Sequence, residues 1–127
     1  MTSTWIIAAL LFVGMAAIGQ NSESPFMCNR LALTPEARAR HFGELGPMMK
    51  SLNTGVRELP NGYAFKFPAD PKTIQLVAEW AAGEHACCPF FQIDMRIESE
   101  NGSLWVTLSG RPGTKAFIEA DLAEMIK

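Results

Sequence analysis

Residues 70–97 read DPKTIQLVAEWAAGEHACCPFFQIDMRI, and a change of period within this stretch decides the fold. Asp70-Pro71 is a helix start: a carboxylate to cap free amides, then a proline where no amide is needed. Ile74, Val77, Ala78 and Ala81 follow at helical spacing, with Trp80 flanking the stripe and Lys72, Gln75 and Glu79 off it. From Phe91 the period drops to two. Phe91, Ile93, Met95 and Ile97 alternate with Gln92, Asp94, Arg96 and Glu98. Gly83 weakens the last helical turn and Pro89 pushes Cys88 out of the α region, so the helix is expected to end between Gly83 and Cys87.

Working outward, Asn101-Gly102 marks a hairpin turn, and Leu104, Val106 and Leu108 line the return strand with Trp105 on the opposite face. Beyond the loop at 110–113, Thr114 is expected to cap a closing helix that turns Phe117, Ile118 and Leu122 inward. Upstream, Pro60-Asn61-Gly62 separates residues 56–59 from 63–67, and the Asn-Gly pair predicts a tight turn with positive φ. Tyr63, Phe65 and Phe67 alternate with Ala64 and Lys66, giving one aromatic face. Thr34-Pro35-Glu36 starts an earlier helix, running through Arg38, Phe42 and Leu45 and weakening at Gly46-Pro47. The order helix, hairpin, helix, hairpin, helix predicts an α+β two-layer fold. Its sheet is mostly antiparallel and four-stranded, built from two β-hairpins, with helices packed on one face.

The chain of 127 residues is expected to hold one domain, over residues 34–127. Residues 20–33 read as an extended linker carrying Cys28. Residues 5–18 are apolar and uncharged, too short for a comfortable membrane span of about 20 residues. They fit the apolar region of a signal peptide over residues 1–19, so an exported, periplasmic or secreted protein is expected. An uncleaved membrane anchor is the alternative, and a core helix the third. A net charge of −2 gives no basic footprint for nucleic acid.

The chemistry sits where helix passes to strand, in Glu84-His85-Ala86-Cys87-Cys88-Pro89-Phe90-Phe91. Cys28 is the third thiol. Low-pKa cysteines favour helix N-termini, whereas Cys87 and Cys88 stand at a helix C-terminus, the wrong pole for activation. Adjacent cysteines also lack Cys-x-x-Cys spacing. Soft ions accept two or three thiolates, so Cys28, Cys87 and Cys88 are candidate ligands for Cu(I), Hg(II), As(III) or Zn(II). Glu84 or His85 would then be a fourth ligand or a partner of one. Against this stands simple packing, since free cysteine behaves as a small buried hydrophobe. His41, between Arg38 and Arg40, reads as solvated or partly packed, and Met95 as core. No catalytic residue is assigned.

The chain resembles a family of small bacterial proteins of unassigned function. The resemblance rests on Cys28 before Leu33-Thr34-Pro35, on Leu59-Pro60-Asn61-Gly62-Tyr63 before Phe67-Pro68, and on Glu84, Cys87, Cys88, Phe90 and Phe91. A later turn, Leu108 to Pro112, also matches. It covers roughly residues 28–126 and implies that Cys28 and the Cys-Cys block belong to one pattern, with Glu84 beside them. The expected function is a non-catalytic soft-metal or metalloid binder. The alternatives are thiol–disulfide redox chemistry through Cys28 with Cys87 or Cys88, and a structural module whose Trp105 or aromatic sheet face meets a protein partner.

Overall fold

Asp70 caps the helix on which the domain is built: its Oδ1 accepts from the Thr73 amide at 3.0 Å and its Oδ2 from the Thr73 hydroxyl at 2.7 Å. In this computed structural model, which describes residues 23–127, that helix (α3) runs Pro71–Cys87. It is preceded by α1 (Pro35–Arg40), a π-helical turn (His41–Leu45) and α2 (Gly46–Leu52). Strands β1 (Gly55–Leu59) and β2 (Gly62–Phe67) come before α3; β3 (Gln92–Ile97) and β4 (Leu104–Ser109) come after it, followed by α4 (Thr114–Asp121) and α5 (Ala123–Ile126). Residues 1–19, read as a signal or anchor, lie outside the described residues. No helix among the described residues is long and apolar enough to cross a membrane.

The four strands form one antiparallel sheet in the order β1-β2-β4-β3. Tyr63, Phe65 and Phe67 stand opposite Leu108, Val106 and Leu104, so the central strands offer one continuous apolar face. Leu45, Met49, Val77, Trp80, Ile118 and Met125 from the helices pack on it. The opposite face is polar, and there Arg57 lies 4.5 Å over the Trp105 ring, whose Nε1 donates to Glu98. The expected two-layer α+β architecture is the one observed.

Several local expectations need correction. The first hairpin turns through Pro60 and Asn61, with Leu59 paired to Gly62, and positive φ occurs only at Glu100, Asn101 and Gly113 among the described residues. Gly62 is therefore not a turn residue. It is a strand residue against which β4 closes: a Cβ there would overlap the Leu108 carbonyl and sit 2.8 Å from Ser109 Cα. In the second hairpin the left-handed pair is Glu100-Asn101, with Gly102 closing the turn onto Ser99. Met95 is 39 % exposed, because β3 is an edge strand reaching past the helical layer. The buried stripe of α3 is Thr73, Val77, Trp80, Ala81, Glu84 and Cys87, with Ala78 exposed. Rotating the helix this way buries the indole, the largest apolar surface it carries.

The helical run from Pro35 to Leu52 is not interrupted at Pro47. The π-helical turn bonds the Gly46 amide to the His41 carbonyl, and Pro47 then stands in the first turn of α2, where its missing amide costs least.

Candidate thiol site

Helix α3 ends where its sequence requires. Cys88 precedes Pro89 and takes φ −120°, ψ 76°, outside the α region, while its amide still reaches the Glu84 carbonyl. The last turn leaves carbonyls without intrahelical partners. The Asn29 amide takes one of them, donating to the Cys87 carbonyl at 2.7 Å. The segment expected as an extended linker is thus a strap across the helix end, closed by a 3₁₀ turn at Arg30–Ala32. Phe26 and Phe90 pack edge to face at 5.3 Å, and the Arg111 guanidinium lies 4.3 Å from the Phe26 ring centre.

The strap brings Cys28 onto the Cys-Cys block. Cys28 and Cys88 form a disulfide, and Cys87 is free and buried. Cys87 Sγ lies 3.4 Å from Cys88 Sγ, and all three sulfurs fall within 4.8 Å of one another. Cys87 and Cys88 are fully buried, and Cys28 is half-buried. Of the two proposed partners, Glu84 is gathered in: its Oε2 is 3.5 Å from Cys88 Sγ. His85 is exposed one residue further on and is not among the grouped ligand atoms.

The histidine that does enter is His41, 3 % exposed, whose Nε2 is 3.0 Å from Glu84 Oε1. It is neither solvated nor only partly packed, and the reason lies on the partner helix. Gly83 leaves a gap in α3, and the imidazole fills it so closely that a Cβ would overlap Nδ1 and stand 2.6 Å from Cε1. Nδ1 has no hydrogen-bond partner among the described residues. With Glu84 facing Nε2, the arrangement favours the tautomer in which Nε2–H donates to the carboxylate. Gly83, expected only to weaken the last turn, was the sequence signal for this contact: the helix continues past it to Cys87.

A cavity of about 440 Å³ adjoins the site, lined by Cys28, Arg30, His41, Trp80, Glu84 and Asp121 among others. Burial, then the charge of Glu84, pushes the Cys87 thiol up to about 11. The guanidinium of Arg30, lying 3.9 Å over the Phe42 ring, opposes this only weakly. At pH 8 ionisation alone should slow Cys87 alkylation by about a hundredfold relative to a thiol of ordinary pKa, and burial adds to that. Iodoacetamide followed by mass spectrometry checks this; rapid labelling of the folded protein at pH 8 would contradict the buried thiol. Cys87 is therefore a poor nucleophile, but as a ligand it can still exchange its proton for an ion.

The chain matches no protein-family model, no curated protein and no solved structure.

Proposed function

We propose that the domain binds one soft metal or metalloid ion through the sulfurs of Cys28, Cys87 and Cys88. The Cys28–Cys88 disulfide is the oxidised, ion-free form. The observation that carries this is the convergence of three sulfurs within 4.8 Å from two distant parts of the chain. An ion with metal–sulfur bonds of about 2.3 Å in a trigonal plane separates its sulfurs by about 4 Å, so small side-chain movements suffice once the disulfide is open. An external dithiol supplies the two electrons and two protons for that opening and leaves as its own disulfide. The reduced site has three thiols and needs no nucleophile. Glu84 stands beside the Cys88 ligand, and His41 holds the carboxylate from its far side.

A disulfide at the site also suits the exported protein expected from the N-terminal sequence, since such bonds persist in oxidising compartments. In that setting, loading depends on a partner that delivers reducing equivalents together with the ion, or shortly before it.

Thiol–disulfide redox chemistry is the second reading, favoured by the Glu84 carboxylate 3.5 Å from Cys88 Sγ. There it can take the thiol proton on oxidation and return it on reduction. The high pKa of Cys87 weakens a scheme in which that thiol attacks the disulfide.

Native mass spectrometry of the protein reduced with a phosphine and titrated with Cu(I) or arsenite tests the proposal. One ion per chain is expected, with all three thiols protected from alkylation in the loaded form. Protection of two thiols or fewer would rule out a three-sulfur site.

A further inference from the structure

We infer that the cargo of this site is a trivalent metalloid taken up as a neutral hydroxide of the arsenite or antimonite class, in preference to a soft cation. This rests on the three-sulfur reading above and follows from the charge that each complex would leave behind. An arsenite molecule condenses with three thiols: three As–O and three S–H bonds break, three As–S and three O–H bonds form, and three waters leave. No electron moves, and the product is neutral. Cu(I) in the same three sulfurs displaces three protons and leaves a net charge of −2; Hg(II) or Zn(II) leaves −1.

The surroundings of the sulfurs decide between these outcomes. Cys87 and Cys88 have no exposure, so an anionic complex loses its water. Glu84 sits 3.5 Å from Cys88 Sγ and Asp121 lines the same cavity, adding acidic groups where negative charge would accumulate. Compensation is scarce. His41 faces Glu84 across a 3.0 Å contact, Arg30 is exposed on the strap over Phe42, and Lys50, which lines the same cavity, is exposed and paired with Glu124 at 3.0 Å. A neutral trithiolate meets none of these penalties. Trivalent arsenic also uses three sulfurs and keeps a lone pair, so it asks for no fourth ligand, and the exposed His85 supplies none. The cavity of about 440 Å³ that reaches Cys28, Trp80 and Glu84 gives a small uncharged hydroxide a way in.

The test is competition between the phosphine-reduced protein and an unstructured peptide carrying three cysteines, with sodium arsenite, Cu(I) and Hg(II) as separate probes. The peptide cancels the intrinsic affinity of each ion for thiols and leaves the effect of the folded surroundings. The protein-to-peptide preference for arsenite should exceed that for Cu(I) by at least tenfold, with Hg(II) between them. Arsenite should enter without releasing protons into weak buffer, while Cu(I) releases three. The melting temperature of the reduced protein should rise more with arsenite than with Cu(I), a readout that holds even if reduction loosens the strap. An equal or larger preference for Cu(I) or Hg(II) would overturn the inference while leaving the three-sulfur site standing. If none of the three probes bound, the three-sulfur site itself would fall.

Discussion

Cys28→Ser protein should be less stable than the oxidised parent by about 4 kcal/mol, the chain-entropy value for a loop of this length. The bond joins residues 60 apart, so it removes much of the freedom of the unfolded chain. It also holds the strap whose Asn29 amide satisfies the Cys87 carbonyl and whose Phe26 packs on Phe90. At about 4–8 °C per kcal/mol for a domain near 100 residues, melting should fall by roughly 15–30 °C. Phosphine reduction of the parent should produce a similar drop, because both changes act through the same cross-link. Calorimetry on oxidised, reduced and Cys28→Ser protein makes the comparison. If oxidised and reduced parent melted together, the Cys28–Cys88 bond would not be closing the strap.

Gly83→Ala should destabilise the domain by about 3 kcal/mol, against the usual trend. In a helix interior, alanine ordinarily improves on glycine by about 0.5–1 kcal/mol. Here the added methyl would overlap the His41 ring, which is confined by burial. Overpacking of this kind costs about 1–3 kcal/mol. Displacing the imidazole also leaves the buried Glu84 carboxylate without its partner, at a further cost of about 1–3 kcal/mol. Urea unfolding of the two proteins measures the difference, and His41→Ala in the Gly83→Ala background separates the terms. Removing the ring should relieve the overlap, so the double variant should lose less than the sum of the two single changes. A Gly83→Ala protein as stable as the parent would mean that the ring does not occupy the gap.

These two positions show what the sequence could and could not disclose. The fold was legible because it rests on period: the helix after Asp70-Pro71, the alternation from Phe91, and two Asn-Gly hairpins. Each is a local property that tertiary packing reinforced. The turn details were not legible, because Gly62 is dictated by the approach of β4, a neighbour 46 residues away at Leu108. The stripe on α3 was misplaced for a related reason. Burial of Trp80 and Glu84 answers to the sheet and to His41, neither of which the helix sequence contains. At the site, Cys87, Cys88 and Glu84 were readable from their adjacency. Cys28 was grouped with them as the third thiol, but that it bonds to Cys88 and leaves Cys87 free appears only with the strap in place. His41 was missed because it lies among arginines on a helix that looks solvated. Arg40 does face outward, bonded to Glu44 and Glu79, while the residue beside it points into the core.

In the proposed function Cys28, Cys87 and Cys88 act together as one binding site whose oxidised state is the disulfide. Its most direct test is the intact mass of the protein taken from its own compartment, measured natively and again after denaturing alkylation. Two populations are expected. One carries a thiophilic ion that is lost on denaturation and yields three alkylated cysteines; the other carries no ion and yields one. A single population with one alkylated cysteine and no ion, unchanged when the cells are supplied with arsenite or copper, would contradict the account and leave the disulfide as a structural cross-link.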